Sequence, residues 1–170
     1  MPLDQRQRKQ VITATRARIS EAEIQFNKRL PKVEISFDVR GSAWGYYMRK
    51  GRQRRIRYNA ALFEKYFNEG LEDTVAHEVA HFVVDSLYRR RKTKPHGKEW
   101  REVMSLFGIN NPSVTHSTDL SGIEVRQQRR FKYQCECGPV MLSTTRHFRV
   151  LRGTTTYSCR RCGNQLQVEK

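Results

Sequence analysis

Apolar positions change their spacing along the chain, from helical to extended and back, and each change predicts an element. Ile12, Ile19, Ala22 and Phe26 recur at intervals of seven, three and four while Arg16, Arg18 and Glu21 fall off their stripe, which predicts an amphipathic helix over 5–28, stopped by Pro31. Val33, Ile35, Phe37 and Val39 then alternate with Glu34, Ser36 and Asp38, the period-two pattern of a strand with one buried face. Gly41 separates this strand from a second at 43–47, and a charged turn at 50–53 leads to a third at 55–59, so a small three-stranded sheet containing a hairpin is expected.

Residues 61–67 read as a short helix ended by Asn68 and Gly70. Leu71, Val75, Val79 and Val83 follow at intervals of four, with Glu72 and Asp73 in the first turn and Arg89 to Lys92 in the last. Each sign complements the helix dipole, and a long buried helix over 72–90 is predicted. Trp100, Val103, Met104 and Phe107 occupy i, i+3, i+4 and i+7 of a further helix that Gly108 closes. Residues 109–130 hold no sustained period and read as a connection with at most one short helix. No internal repeat or low-complexity tract is present.

The chain of 170 residues has 33 Lys and Arg against 17 Asp and Glu, a net charge of +16. Residues 126–170 alone carry 10 basic and 2 acidic side chains, half of that excess in about a quarter of the length. Such a surface calls for an anionic partner, with nucleic acid the first candidate. Nowhere do about 18 apolar residues run together, and the first ten residues lack an apolar core. A soluble, cytoplasmic chain without a membrane partner is expected, with a monomer as the favoured state.

The segment HEVAH occupies 77–81 on the predicted buried helix. A separation of four residues puts His77 and His81 on one face, where both imidazoles reach one metal ion, with Glu78 beside them. A zinc ion held by two imidazoles and one more ligand keeps an open position at which water is acidified, and Glu78 is placed to act as the base. Two unpaired polar side chains interrupting an apolar helix would cost stability, so ligation explains the histidines better than packing does. A metzincin would need Gly at 84 and His at 87, where this chain has Val84 and Leu87, so that subclass is excluded. His96, Glu99, Glu102 and His116 remain as candidates for the third ligand, and spacing does not separate them.

Cys135, Cys137, Cys159 and Cys162 form two close pairs, each followed by a glycine, the pattern of a ribbon that presents four thiolates to one structural Zn²⁺. Between the pairs, 142–158 mixes branched, aromatic and basic residues and reads as two strands, completing a β zinc ribbon. Arg129, Arg130, Arg146, Arg149, Arg152, Arg160 and Arg161 are positioned to neutralise phosphates, and Phe131, Tyr133, Phe148 and Tyr157 offer faces to unpaired bases. Single-stranded DNA suits this mixture, although at least half of the aromatics are expected to fill the small core. His116 and His147 are expected to have no metal role.

HEVAH, PHGKEW, THSTDL, CEC and CRRCG, in this order, closely resemble the SprT family, relatives of the Spartan proteases that act on DNA–protein crosslinks. The likeness spans essentially the whole chain. It implies an α+β protein with a minimal zincin-like metalloprotease core at 1–120, built from a small antiparallel or mixed sheet with helices, and a zinc ribbon at 126–170. It also implies His77, His81 and His96 as ligands of a catalytic zinc ion, Glu78 as catalytic acid and base, and protein substrates bound to DNA. An edge strand beside the site, expected around 43–47, would pair with extended substrate backbone; of Trp44 and Tyr46 one is expected in the core. The competing expectation is a nucleic-acid-binding protein whose histidine metal is structural or only weakly active.

Overall fold

In the computed structural model, which describes residues 3–89, 93–113, 119–123 and 129–168, Asp4 starts the first helix, α1 (Gln5–Gln25). Its carboxylate accepts from the Gln7 N–H at 2.6 Å while the Gln7 amide accepts from the Asp4 N–H, a reciprocal cap. Val11, Thr15 and Ala22 are buried; of the predicted stripe Ala22 is fully covered, Ile19 and Phe26 pack partly buried against the same core, and Ile12 is half-buried. A threonine is buried here because its hydroxyl is satisfied: it donates to the Val11 carbonyl at 2.7 Å and lies 2.9 Å from the hydroxyl of the fully buried Tyr58.

Three strands follow: β1 (Glu34–Ser36), β2 (Gly45–Lys50) and β3 (Gln53–Tyr58), in the order β1-β3-β2. β2 and β3 form the expected hairpin, but its ladder extends to the pair Lys50↔Gln53, so the turn tightens to Gly51 and Arg52, with Gly51 at φ 61°. β1 runs parallel to β3 and keeps only three paired residues of the seven-residue strand predicted. The alternation of Val33, Ile35, Phe37 and Val39 toward the core nevertheless holds. The basic run on the hairpin is matched by acids elsewhere: Arg55 pairs with Glu34 at 2.8 Å and Arg57 with Asp38 at 2.9 Å. Trp44 is buried and Tyr46 exposed.

The helix predicted at 61–67 is divided, and Asn68 and Gly70 do not end it. α2 (Ala60–Lys65) is capped by Asn59, whose side chain also donates to the Gly41 and Ala43 carbonyls at 2.9 Å. A short α3 (Phe67–Glu69) then runs through a π-helical turn, Gly70–Thr74, directly into α4 (Val75–Tyr88). Gly70 is there for space: a Cβ would lie 2.8 Å from the Trp44 ring and 3.0 Å from that of Phe63. Glycine read as a stop signal is therefore a close-packing residue. α4 is the centre of the unit, packed by α1, by the sheet and by α5 (Lys98–Leu106), with Val75, Val79, Phe82 and Val83 fully or almost fully buried. Trp100, Val103, Met104 and Phe107 all reach the same core, and Gly108 follows at φ 82°.

The chain divides into two compact units, 1–125 and 126–170. In the second, β4 (Arg130–Gln134) pairs antiparallel with β5 (Val140–Ser143) and with the short β6 (Gln167–Val168). The two strands predicted between the cysteine pairs are not formed as such. β5 ends at Ser143, and α6 (Thr144–Leu151) takes the rest of the branched and aromatic run. The reason is a three-residue period hidden under the β-formers: Thr144, His147 and Val150 are turned partly inward while Thr145, Arg146, Phe148 and Arg149 are exposed. His147 stacks on Phe131 at 3.7 Å and its Nδ1 meets the Tyr133 hydroxyl at 3.1 Å. The whole molecule is thus mixed α+β, and among the described residues no helix is long and apolar enough to cross a membrane.

Candidate metal centres

His77 and His81 lie one turn apart on α4, and His96 arrives from the turn that precedes α5. The Nε2 atoms of His81 and His96 each stand 3.2 Å from Nε2 of His77. His96 therefore joins the helix pair, whereas Glu102 pairs with Lys98 at 3.8 Å and Glu99 lies beside Gly97; His116 is outside the described residues. Burial pushes the His81 imidazole down to about 4, with His96 adding to the effect, and burial lowers His96 as well. Burial thus disfavours the charged forms of His81 and His96, and the three Nε2 atoms are gathered around one point, an arrangement that a cation would suit. Tetrahedral zinc with nitrogens at about 2.0–2.1 Å would separate them by about 3.3–3.4 Å, so this donor set fits the ion.

Trp100 forms the floor of the cluster. Its ring lies 4.9, 5.7 and 4.8 Å from those of His77, His81 and His96. Its indole N–H points at the His77 carbonyl at 3.4 Å. Apolar spacing placed Trp100 in the core, correctly, without disclosing that the core there is the back of a site.

Glu78 is 6% exposed and opens into the same cleft of about 530 Å³, whose walls include Gly45, Tyr46 and Tyr47 of β2. Burial pushes its carboxyl up to about 7, partly offset by the Tyr47 N–H that it accepts. A carboxylate so poised exchanges a proton near neutrality. Among the described residues β2 pairs only with β3, and its other edge lies along this cleft. One turn beyond His81, Asp85 continues the cleft-facing stripe. It accepts from the Tyr47 hydroxyl at 2.7 Å and neighbours Arg49 at 3.4 Å and Arg54 at 3.8 Å. Asp85 and Gly45 belong to this wall and were not singled out from sequence; a lone acid eight residues after His77 was the only available signal.

The four cysteines of the second unit are unbridged, with Sγ separations of 3.3 Å (Cys135–Cys162), 3.6 Å (Cys135–Cys137) and 3.5 Å (Cys137–Cys159). These are too long for a disulfide and close to the span of a four-thiolate site. Backbone N–H groups of Arg161 and Cys162 draw Cys159 down to about 6, while its thiol neighbours push Cys137 up to about 12. A second thiolate cannot form beside the first without a compensating cation, so this set too fits a metal. Both groups, His77–His81–His96 and the four cysteines, have ligand atoms within 4.8 Å of one another.

The predicted phosphate contacts are scattered over the second unit. Arg146, Arg160 and Arg161 line one cavity of about 390 Å³, with Arg146 over Tyr157 at 5.5 Å. Arg129 covers Phe131 at 5.0 Å, Arg130 begins β4, and Arg149 and Arg152 are exposed at the end of α6. Of the four aromatics Tyr133 is buried, Phe131 and Tyr157 are partly so, and Phe148 is exposed.

Residues 13–129 match the SprT-like family model. Protein SprT of Vibrio parahaemolyticus is 40% identical over 149 residues, covering 87% of this chain and 86% of that protein. Protein SprT of Shewanella oneidensis is 35% identical over 149 residues, 87% and 90% of the two chains. The Klebsiella pneumoniae protein of the same name is 33% identical over 162 residues, 94% and 92% of the two. No solved structure matches. An alignment of 149 residues cannot be contained in the first unit and must extend into the cysteine module. On the family model and these relatives together, the chain belongs to the SprT-like family.

Proposed function

We propose that this protein is a zinc-dependent metallopeptidase of zincin type that cuts proteins associated with DNA. The observation that carries the reading is the convergence of three imidazoles and one desolvated carboxylate in a single cleft beside a strand edge that the described sheet leaves unpaired. His77, His81 and His96 would hold the ion, which when bound supplies a Lewis acid and acidifies a water molecule. Glu78 would serve as the proton acceptor and then the proton donor of the cleft, roles suited to a carboxyl group that burial raises toward neutrality. The free edge of β2 offers backbone groups to an extended peptide, and the Gly45–Tyr47 segment aligns it with Glu78. The four cysteines would hold a second, structural zinc ion, and the arginines of the second unit would bind single-stranded DNA, bringing DNA-bound proteins to the cleft.

The decisive comparison is cleavage of a DNA-bound protein by the wild type and by Glu78→Gln, each with and without single-stranded DNA. Cutting by the wild type alone, stimulated by DNA, is expected. A wild type that binds DNA and two zinc ions but cuts nothing in any condition would leave the reading as a nucleic-acid-binding protein with a structural histidine metal.

A further inference from the structure

The wall opposite α4 touches Glu78 at one residue that has no side chain. Gly45 opens β2, paired with Tyr58 of β3, and a Cβ built on it would lie 2.9 Å from Cγ of Glu78, 3.2 Å from its Oε1 and 3.0 Å from the Arg57 carbonyl. Real Cβ atoms essentially never approach within 3.0 Å, so something must give. Gly45 does not carry a positive φ, so contact and not backbone conformation accounts for glycine at this position.

Which partner gives is decided by how each is held. β2 is fixed on one side by its full ladder to β3, from Gly45↔Tyr58 to Lys50↔Gln53. On the α4 side it is tied by the Tyr47 hydroxyl on Asp85 at 2.7 Å, by the Tyr47 ring against Phe82 at 5.8 Å and by Arg49 near Asp85 at 3.4 Å. Residues 45, 47 and 49 all face α4, as strand alternation requires. Glu78 is a flexible side chain borne on a rigid helix and moves more cheaply than this doubly anchored strand. Its carboxylate accepts from the Tyr47 N–H, two residues along the same strand.

We infer that Gly45 is a positioning residue: its bare Cα and the Tyr47 N–H form a two-point seat that sets where the Glu78 carboxylate lies in the cleft. The inference rests on the proposed role of Glu78 as the base. A side chain at 45 lifts the carboxylate from its seat while leaving the three imidazoles, which are held from α4 and the turn before α5, in place.

Gly45→Ala is the test. It should keep two zinc ions per chain and lower kcat about 10- to 100-fold, the cost of misplacing a reacting group by about 1 Å, with KM within about twofold. Wild-type kcat in a Gly45→Ala protein would overturn the inference, as would a loss carried by KM or by metal content. A double-mutant cycle on thermal stability reads the contact independently of any peptidase activity. Gly45→Ala should lower Tm more in the wild type than in Glu78→Ala, where its Cβ has room, and equal losses in the two backgrounds overturn the seat. Should Gly45→Ala alone not fold, the double variant Gly45→Ala/Glu78→Ala is expected to fold, and its failure would count against the proposal. A wild type inactive on every protein substrate would refute the peptidase reading while leaving the cycle to decide the contact.

Discussion

The histidine cleft and the cysteine cluster both gather ligating side chains to one point, yet they are held in opposite ways. The histidines hang on α4 and on the turn before α5, inside a core that includes Val11, Ile56, Phe63, Val79, Phe82, Val83 and Trp100. That core is extensive enough that the cleft is expected to keep its shape without an ion. In the second unit the buried residues are Tyr133, Leu142, Leu166 and Cys159 itself, so one ligand is part of a core too small to hold the others. On the proposed reading, a metal in the first unit would complete a chemistry, and in the second it would complete a fold.

The largest expected effect breaks the two apart. Chelation should remove amide protection throughout 126–170, since a structural zinc ion contributes on the order of 10–16 kcal/mol of apparent folding energy. The elements of 1–125 should stay protected, as read by hydrogen exchange. Simultaneous loss in both units would erase the distinction.

Replacing single ligands sharpens it. His77→Ala should lose one of two zinc ions and leave DNA affinity unchanged, while Cys159→Ser should lose the other, melt the second unit and weaken DNA binding about tenfold or more. Metal analysis with a DNA titration checks both, and equal DNA affinity in the two variants would refute the division.

A smaller effect is read by pH in the metal-free protein. The Glu78 carboxyl is raised from its ordinary 4.5 to about 7, so the folded state binds a proton that the unfolded state has released. Its contribution is full below about 4.5 and is lost as pH rises through about 7. His81, lowered from 6.5 to about 4, acts with the opposite sign over much of the same range, which is why the difference from Glu78→Gln is the quantity to measure. The stability advantage of Glu78→Gln should widen between pH 4.5 and 7, to a few kcal/mol at most. A difference flat in pH would place Glu78 in water. The smallest effect is Tyr47→Phe, which removes the bond to Asp85 and should cost about 1–2 kcal/mol in denaturant unfolding, confined to the first unit.

Much of the arrangement was legible before any coordinates. The helix carrying HEVAH and the helix of Trp100 to Phe107 follow from periodicity because each buries an apolar face, and the β2–β3 hairpin follows from the glycine and the charged turn that bound its strands. Errors fell where one residue type serves two purposes. Gly70 reads as a helix stop but makes room for Trp44 and Phe63. The β-formers of 144–151 read as strand but wind into α6, whose inward residues are spaced by three.

What the amino-acid sequence alone determined is the inventory of ligands and their local spacing: two histidines a helical turn apart with a glutamate between them, and two close pairs of cysteines. Spacing along one helix is local geometry, so it is encoded within a few residues. Spacing left His96, Glu99 and Glu102 open and only the resemblance pointed to His96; the tertiary structure brings His96 to the pair, sets Trp100 behind it, and closes Gly45 and Tyr47 of β2 against Glu78. Those contacts join segments about twenty to thirty-odd residues apart. They arise from packing α4 between a helix and a sheet edge, which no pattern within either segment specifies.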